Sequence, residues 1–394
     1  MKINKTINIK NVLIIFFYLV LLIPFFEIPY FTEYLNKFNT IYDLLLVFSS
    51  SIILLLTIKK KHISKINIYI IILMLILLFS SIFNGTNIMF CIKDIVKTLG
   101  LCLLVEYGIK YDKNNFVKSF SIFLSLLVYI NLFSIFKDPN GLYMNKTGYI
   151  ENWFLGYKNT HILYIMPALL FNIMNSYLKK GKMTFYNYFF LIISLISTIL
   201  VNNGTGIVGL MIIIIFILFT KFINKFSVIN IKNGVYTYLT LFICIVILRL
   251  QNLFKFLIVD ILHKDLTFTG RIYVWDKALK MIKNKPLLGY GNVSFEYSRV
   301  VYSTHNTILG IMHKTGLLGL IMYFVIIFGT EKELYITRKN YISKFVSSVV
   351  FSYLIMMLTE AYAFKYFLFI LVLGFNIKHL IVGSDNDEKN NACQ

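Results

Sequence analysis

The sequence predicts an all-α polytopic membrane protein with about twelve transmembrane helices and one large external loop between spans 9 and 10. Three observations carry that expectation. Apolar residues make up 58% of the chain and charged residues only 14%, with mean hydropathy +0.74, against about 45–50% and about 25% in soluble domains. The excess sits in runs of about 18–22 residues, long enough for about 30 Å of hydrocarbon. The period-2 alternation of a membrane barrel is absent.

The chain begins with Lys2, Lys5 and Lys10 ahead of an apolar run at 12–26. That pattern suits a secretory signal, but Pro24-Phe25-Phe26-Glu27 supplies no small-residue cleavage site, so a retained first span is expected. Apolar runs follow at about 41–58, 66–83, 88–109, 117–136, 161–178, 184–201, 204–223, 231–249, 305–328, 343–358 and 364–383. The run at 88–109 is the weakest, because it contains Lys93, Asp94 and Lys97. Connections at 59–65, 110–118, 179–184, 221–232 and 329–344 are rich in Lys and Arg, and they alternate with Lys-poor ones at 27–40, 84–87 and 202–203. The positive-inside tendency then puts the basic set and both termini in the cytoplasm. The expected organisation is a single transmembrane domain over 1–383, with external loops 137–160 and 250–304 forming a cap, and a cytoplasmic polar tail at 384–394.

The net charge of +21 raises the question of nucleic acid. Most Lys residues lie in short loops between apolar runs, where they act as topology determinants, and no nucleic-acid partner is expected. Cys91, Cys102 and Cys244 fall within apolar runs and Cys393 in the tail, with no spacing that suggests a metal or a disulfide. No cofactor is expected. The loop 250–304 has eight basic against four acidic residues, a net +4 that topology does not require. It suits an anionic substrate, or equally a lid resting on anionic membrane lipid headgroups.

Within that loop, 271–283 places Trp275, Ala278, Leu279 and Ile282 at helical spacing, with Arg271, Lys277, Lys280 and Lys283 elsewhere on the turn. This is the pattern of an interfacial helix. Thr269 is a candidate N-cap, and Arg271 in the first turn is either a fork for a diphosphate or a plain interfacial cation. Pro286 stops the helix, and Leu-Leu-Gly-Tyr-Gly makes a turn. Ser303-Thr304-His305-Asn306 opens the tenth span. His305 at a membrane boundary suits a general base, because histidine titrates near neutrality, or a capping role. Asn306 suits a hydroxyl contact or a helix cap. Gly316 and Gly319 are spaced for close helix packing. His313 and Lys314 are intramembrane polar residues expected to pair or line a cavity. In the other long loop, Tyr143, Tyr149, Trp153 and Tyr157 are sugar-stacking or anchoring aromatics, followed by Lys158 and His161. Glu27 and Glu33 are the acidic pair a metal-using transferase would need, and Arg249, Arg299 and Glu360 are further polar candidates with no motif behind them.

TGRIYVWDKALKMIKNKPLLGYG followed by HNTILGIMHKTGLLGL resembles the signature of the O-antigen ligase and Wzy-type O-antigen and capsular polysaccharide polymerase superfamily. The matching residues are Gly270, Arg271, Trp275, Pro286, Gly289, Gly291, His305, Asn306, Leu309, Gly316 and Gly319, about one seventh of the chain. The resemblance implies a GT-C-like fold and a metal-independent, inverting glycosyltransferase of the bacterial cytoplasmic membrane. Its substrates would be a polyprenyl-diphosphate-linked (undecaprenyl-type) oligosaccharide donor and acceptor. A flippase and a chain-length regulator would be its partners by analogy. By resemblance Arg271 binds the donor diphosphate and His305 positions or deprotonates the acceptor hydroxyl. Asn306, Trp275, Lys277, Arg299, Lys158 and Trp153 are the candidate substrate-binding residues, with no metal ligand among them. Many members carry a second Arg where this chain has Asn203-Gly204-Thr205-Gly206, so Lys158, Arg249 or Arg299 would have to supply that charge. A polymerase is the leading expectation. A ligase for finished glycan and a transporter of lipid-linked oligosaccharide are the alternatives.

Overall fold

The computed structural model describes residues 9–35, 37–145, 148–220, 229–256, 270–293, 295–297 and 300–381. Helices occupy each of the twelve apolar runs: α1 (Ile9–Leu22), α2 (Asn39–Lys60), α3 (Lys65–Phe83), α4 (Ile88–Tyr111), α5 (Lys113–Lys137), α6 (Ile162–Lys180), α7 (Phe185–Leu200), α8 (Gly204–Leu218), α9 (Ile231–Leu241), α11 (Thr307–Ile336), α12 (Tyr341–Met356) and α13 (Phe364–Phe375). The amphipathic segment forms α10 (Arg271–Asn284), and a short α14 (Ile377–Ile381) follows α13. Among the described residues five helical stretches are long and apolar enough to cross a membrane: α2, α3, α5, Lys158–Lys180 around α6, and α11. Six apolar helices are shorter. The protein is a polytopic α-helical membrane protein. Isolated helices suit such a setting because each satisfies its own backbone hydrogen bonds.

The chain divides into two compact units. The first comprises Met1–His62, Gly100–Asn203 and Asn376–Gln394. Here α5 packs along α1 and α6. Phe120 stacks on Phe171 with ring centroids 4.0 Å apart. Asn172 donates to Ser125 Oγ at 2.8 Å and accepts from Ser121 Oγ at 2.5 Å. Such buried polar stitches join helices where hydrocarbon offers no hydrophobic drive. The loop after α5 ends in a hairpin, Asn152–Trp153 against Gly156–Tyr157.

The second unit comprises Ile63–Leu99 and Gly204–Phe375. In it α11 packs against α3, α10 and α13, and α12 against α8 and α9. Gly209 lets α8 approach α12 closely: an added Cβ would lie 2.4 Å from Met356 Sδ, and Ser352 Oγ donates to Gly209 O at 2.8 Å.

One feature of this unit departs from the expected pattern. Gly316 does not serve helix packing. It breaks α11, with φ 61° and ψ −159°, a conformation essentially reserved for glycine. The turn at 286–291 fills the break. Tyr290 N donates to His313 O at 2.7 Å and Gly291 N to Lys314 O at 3.0 Å, while Leu317 N donates to Pro286 O at 2.8 Å. The freed polar groups of the helix are thus matched by those of the turn, which is how irregular backbone is tolerated at membrane depth. On the other side, Ser80 Oγ donates to Leu288 O at 2.5 Å and Asn84 Nδ2 to Gly289 O at 3.1 Å. The Pro-x-x-Gly-x-Gly sequence therefore wedges between α3 and the broken α11. Both glycines are required: a Cβ on Gly289 would meet His313 O at 2.6 Å, and one on Gly291 would meet Ser81 Cα at 2.6 Å.

Candidate functional site

Arg271 is the first residue of α10. The helix is capped by Gly270 in the left-handed conformation, φ 80°, with no side-chain cap. The expected capping residue, Thr269, lies outside the described residues, as does Arg299. Asn306 caps α11: its Oδ1 accepts from Leu309 N at 3.1 Å. The same amide donates to Leu358 O at 3.0 Å. Thr307 N donates to Met357 O at 3.1 Å, and Thr307 Oγ1 to Glu360 O at 3.0 Å. The start of α11 is thereby zipped to the turn between α12 and α13.

That zipper delivers Glu360 to the two motif residues. Arg271 Nη2 donates to Glu360 Oε1 at 2.8 Å, and His305 Nδ1 lies 3.6 Å from Glu360 Oε2. One carboxylate thus joins an Arg 89 positions before it to the His that opens α11. Burial pushes the Glu360 carboxyl up, but His305 and Arg271 outweigh burial and hold it below the ordinary range. His305 itself has φ 47°. Non-glycine residues in that region are uncommon and cluster at functional sites.

Asn306 is fully buried and its amide is committed to Leu309 and Leu358, so the structure puts it in the frame of the site rather than against a sugar hydroxyl. Trp275 is fully buried on the packed face of α10, where it offers no open face for stacking. Lys277 is half-buried on the same helix. Arg249 pairs with Asp276 and lies over the Trp275 ring at 5.8 Å, with its Nη1 buried and without a partner among the described residues. Trp153 and Lys158 belong to the first unit. Trp153 is buried and donates from Nε1 to Asp138 O at 2.8 Å. It is an anchor for its loop, with no free ring face. Lys158 pairs with Glu151 at 2.5 Å. His161 is buried between Asn131 Nδ2, 3.2 Å from its Nδ1, and Gly156 O, 3.0 Å from its Nε2, the environment of a neutral structural histidine. Among the described residues no three His, Cys, Asp or Glu side chains gather as metal ligands.

Deeper in the second unit, Lys314 Nζ donates to Asn292 Oδ1 at 2.9 Å, and Asn292 Nδ2 to Asp94 Oδ2 at 2.8 Å. His313 stacks on Tyr290 with centroids 5.3 Å apart. A cavity of about 400 Å³ opens here, reaching from Asp94, Asn292 and Lys314 to Thr304 and Tyr362.

Comparison with known proteins adds two findings. Residues 189–324 match the family model described as O-antigen ligase. A 98-residue stretch is 32% identical to the exopolysaccharide production protein ExoQ of Rhizobium meliloti (strain 1021), covering 20% of this chain and 22% of that relative's length. The chain matches no solved structure. The family match contains Arg271 and His305; Glu360 lies beyond it.

Proposed function

We propose that this chain, whose family match and ExoQ similarity support assignment to the O-antigen ligase and Wzy-type polymerase superfamily, is a polysaccharide polymerase. It transfers a growing glycan from polyprenyl diphosphate to the sugar of a fresh lipid-linked repeat unit. The observation that carries this reading is the single carboxylate of Glu360 shared between Arg271 and His305.

Glycan transfer breaks the bond between the anomeric carbon and the diphosphate oxygen. It forms a bond from that carbon to the acceptor hydroxyl oxygen, with inversion. The departing diphosphate gathers negative charge, which a fixed cation stabilises. Arg271 spends Nη2 on Glu360 and keeps further N–H donors for phosphate oxygens. The acceptor proton passes to His305 Nε2. Glu360 faces Nδ1, which favours the tautomer with its proton there and the lone pair on Nε2. Glu360 is a positioning residue in this scheme. Arg249, a quarter exposed and paired with Asp276, is the candidate for the second diphosphate cation. The reading includes about twelve spans in the bacterial cytoplasmic membrane, a GT-C-like arrangement, cytoplasmic termini, a site open to the outer leaflet and no metal requirement. Its partners are a flippase and a chain-length regulator.

The family description favours a second reading, a ligase that moves finished glycan to another acceptor. The test is the lipid-linked glycan profile of cells lacking the protein. Single repeat units accumulating on the outer face identify a polymerase. Long lipid-linked chains left unattached identify a ligase. Units trapped on the inner face identify a transporter and overturn both readings.

A further inference from the structure

We infer that a second cavity, at the far end of α11 from His305, is a binding site for a phosphate group, carried either on a membrane lipid or on a soluble compound. The inference is independent of the glycan-transfer reading, since no residue of the Arg271–Glu360–His305 cluster lines this cavity.

The cavity, of about 240 Å³, lies where α8 and α11 end and α9 and α12 begin. Phe216, Ile231 and Leu334, all buried, give it an apolar floor. Arg338, Lys339 and Lys344 line it against the single carboxylate of Glu331, so the described lining carries a net charge of +2. None of these four side chains forms an ion pair with a described residue. Lys332 and Glu333, next to Glu331 in the chain, do not line the cavity. The rest of the connection entering α9, 221–228, lies outside the described residues; its sequence holds Lys221 and Lys225 and no acidic residue, so it brings no counter-charge.

The positive-inside tendency accounts for basic residues in these connections but not for their meeting around one concavity. Like charges gathered about one space repel, and an anion placed there relieves them. Two features select phosphate over a lone carboxylate. The Arg338 guanidinium lies 3.9 Å from the centroid of the Tyr335 ring, and Nη1 donates to Tyr335 O at 2.9 Å. The fork is thereby held in place with its other donors uncommitted among the described residues. Ser347, buried on the cavity wall, adds a hydroxyl that bonds to no described residue, whereas Ser348 beside it bonds back to Phe345 O at 2.7 Å. A guanidinium, two ammonium groups and a hydroxyl offer donors in several planes. That suits the tetrahedral oxygens of a phosphate better than the two coplanar oxygens of a carboxylate. A basic pocket between membrane helices is also the form that a lipid phosphate headgroup fits.

The test titrates phosphatidic acid, inorganic pyrophosphate and oleate onto the full chain in neutral detergent, with the first retained molecule counted by native mass spectrometry. Tighter retention of phosphatidic acid assigns the phosphate to a lipid, and tighter retention of pyrophosphate to a soluble compound; either upholds the site. Arg338→Gln and Lys344→Gln should each weaken binding at least fivefold at an unchanged melting midpoint. Lys332→Gln, which removes the same charge outside the cavity, should weaken it less than twofold. Glu331→Gln should tighten it, a change that misfolding cannot produce. The assignment is overturned if neither phosphate probe is retained, if oleate is held as tightly as phosphatidic acid, if Lys332→Gln matches Lys344→Gln, or if Glu331→Gln fails to tighten binding.

Discussion

Replacing Gly316 with Ala tests the broken helix and the wedge that fills it. The new Cβ would lie 2.2 Å from Leu287 O, 2.3 Å from Leu287 C and 2.6 Å from Leu288 N. All three are backbone atoms, so no rotamer change relieves the contact. The φ of 61° with ψ of −159° adds about 1–3 kcal/mol for a residue with a side chain. Overpacking adds about 1–3 kcal/mol more. A loss of about 2–6 kcal/mol is expected. It should be read as a lowered unfolding midpoint of the purified chain in mixed detergent micelles titrated with SDS. Gly329→Ala is the matched control: it sits in the same helix with nothing within 4 Å of an added Cβ, and Ala there should be neutral or stabilising by up to about 1 kcal/mol. If Gly316→Ala tracks Gly329→Ala, α11 is continuous, the wedge at 286–291 is not seated in it, and the placement of Asn292 falls with it.

Three further outcomes are expected. Glu360 is held below the ordinary carboxylate range, so its stabilising contribution is present above its unfolded pKa and is lost as pH falls through its folded value. Melting between pH 7 and pH 3 should show an acid limb that Glu360→Gln lacks; equal slopes would remove the pairing from the account. Asn306→Ala deletes an N-cap and orphans Leu358 O, costing about 2–5 kcal/mol in the same SDS titration; a loss below about 0.5 kcal/mol would contradict that committed amide. Trp153→Phe keeps the ring but drops the bond to Asp138 O. It should cost about 1 kcal/mol and leave polymer length unchanged, whereas shortened chains on gel electrophoresis would restore Trp153 as a glycan contact.

The helices were legible because a membrane run must satisfy its own backbone, so length and apolarity suffice to locate it. The same uniformity hid the break in α11. In a long helical run, a glycine at a left-handed φ reads like a glycine at a packing contact, and only the turn pressed into it tells them apart. The site was half legible. Arg271 and His305 stand in an ordered set of residues, whereas Glu360 follows Arg271 by 89 positions with no local pattern, and its place beside them comes from the zipper between Thr307, Asn306 and the 357–360 turn. Trp153 and Asn306 carried two readings each from sequence, and burial with committed hydrogen bonds separates them.

The shared carboxylate of Glu360 is tested by returning the protein to cells that lack it, as wild type, Arg271→Ala, His305→Ala or Glu360→Gln, at matched membrane abundance, and reading the lipid-linked glycan ladder. Wild type should restore a full ladder, Arg271→Ala and His305→Ala should leave single repeat units, and Glu360→Gln should give shortened or sparse chains. A full ladder from His305→Ala would contradict the proposed transfer to His305, because the acceptor proton would then have no need of the imidazole that Glu360 holds in place.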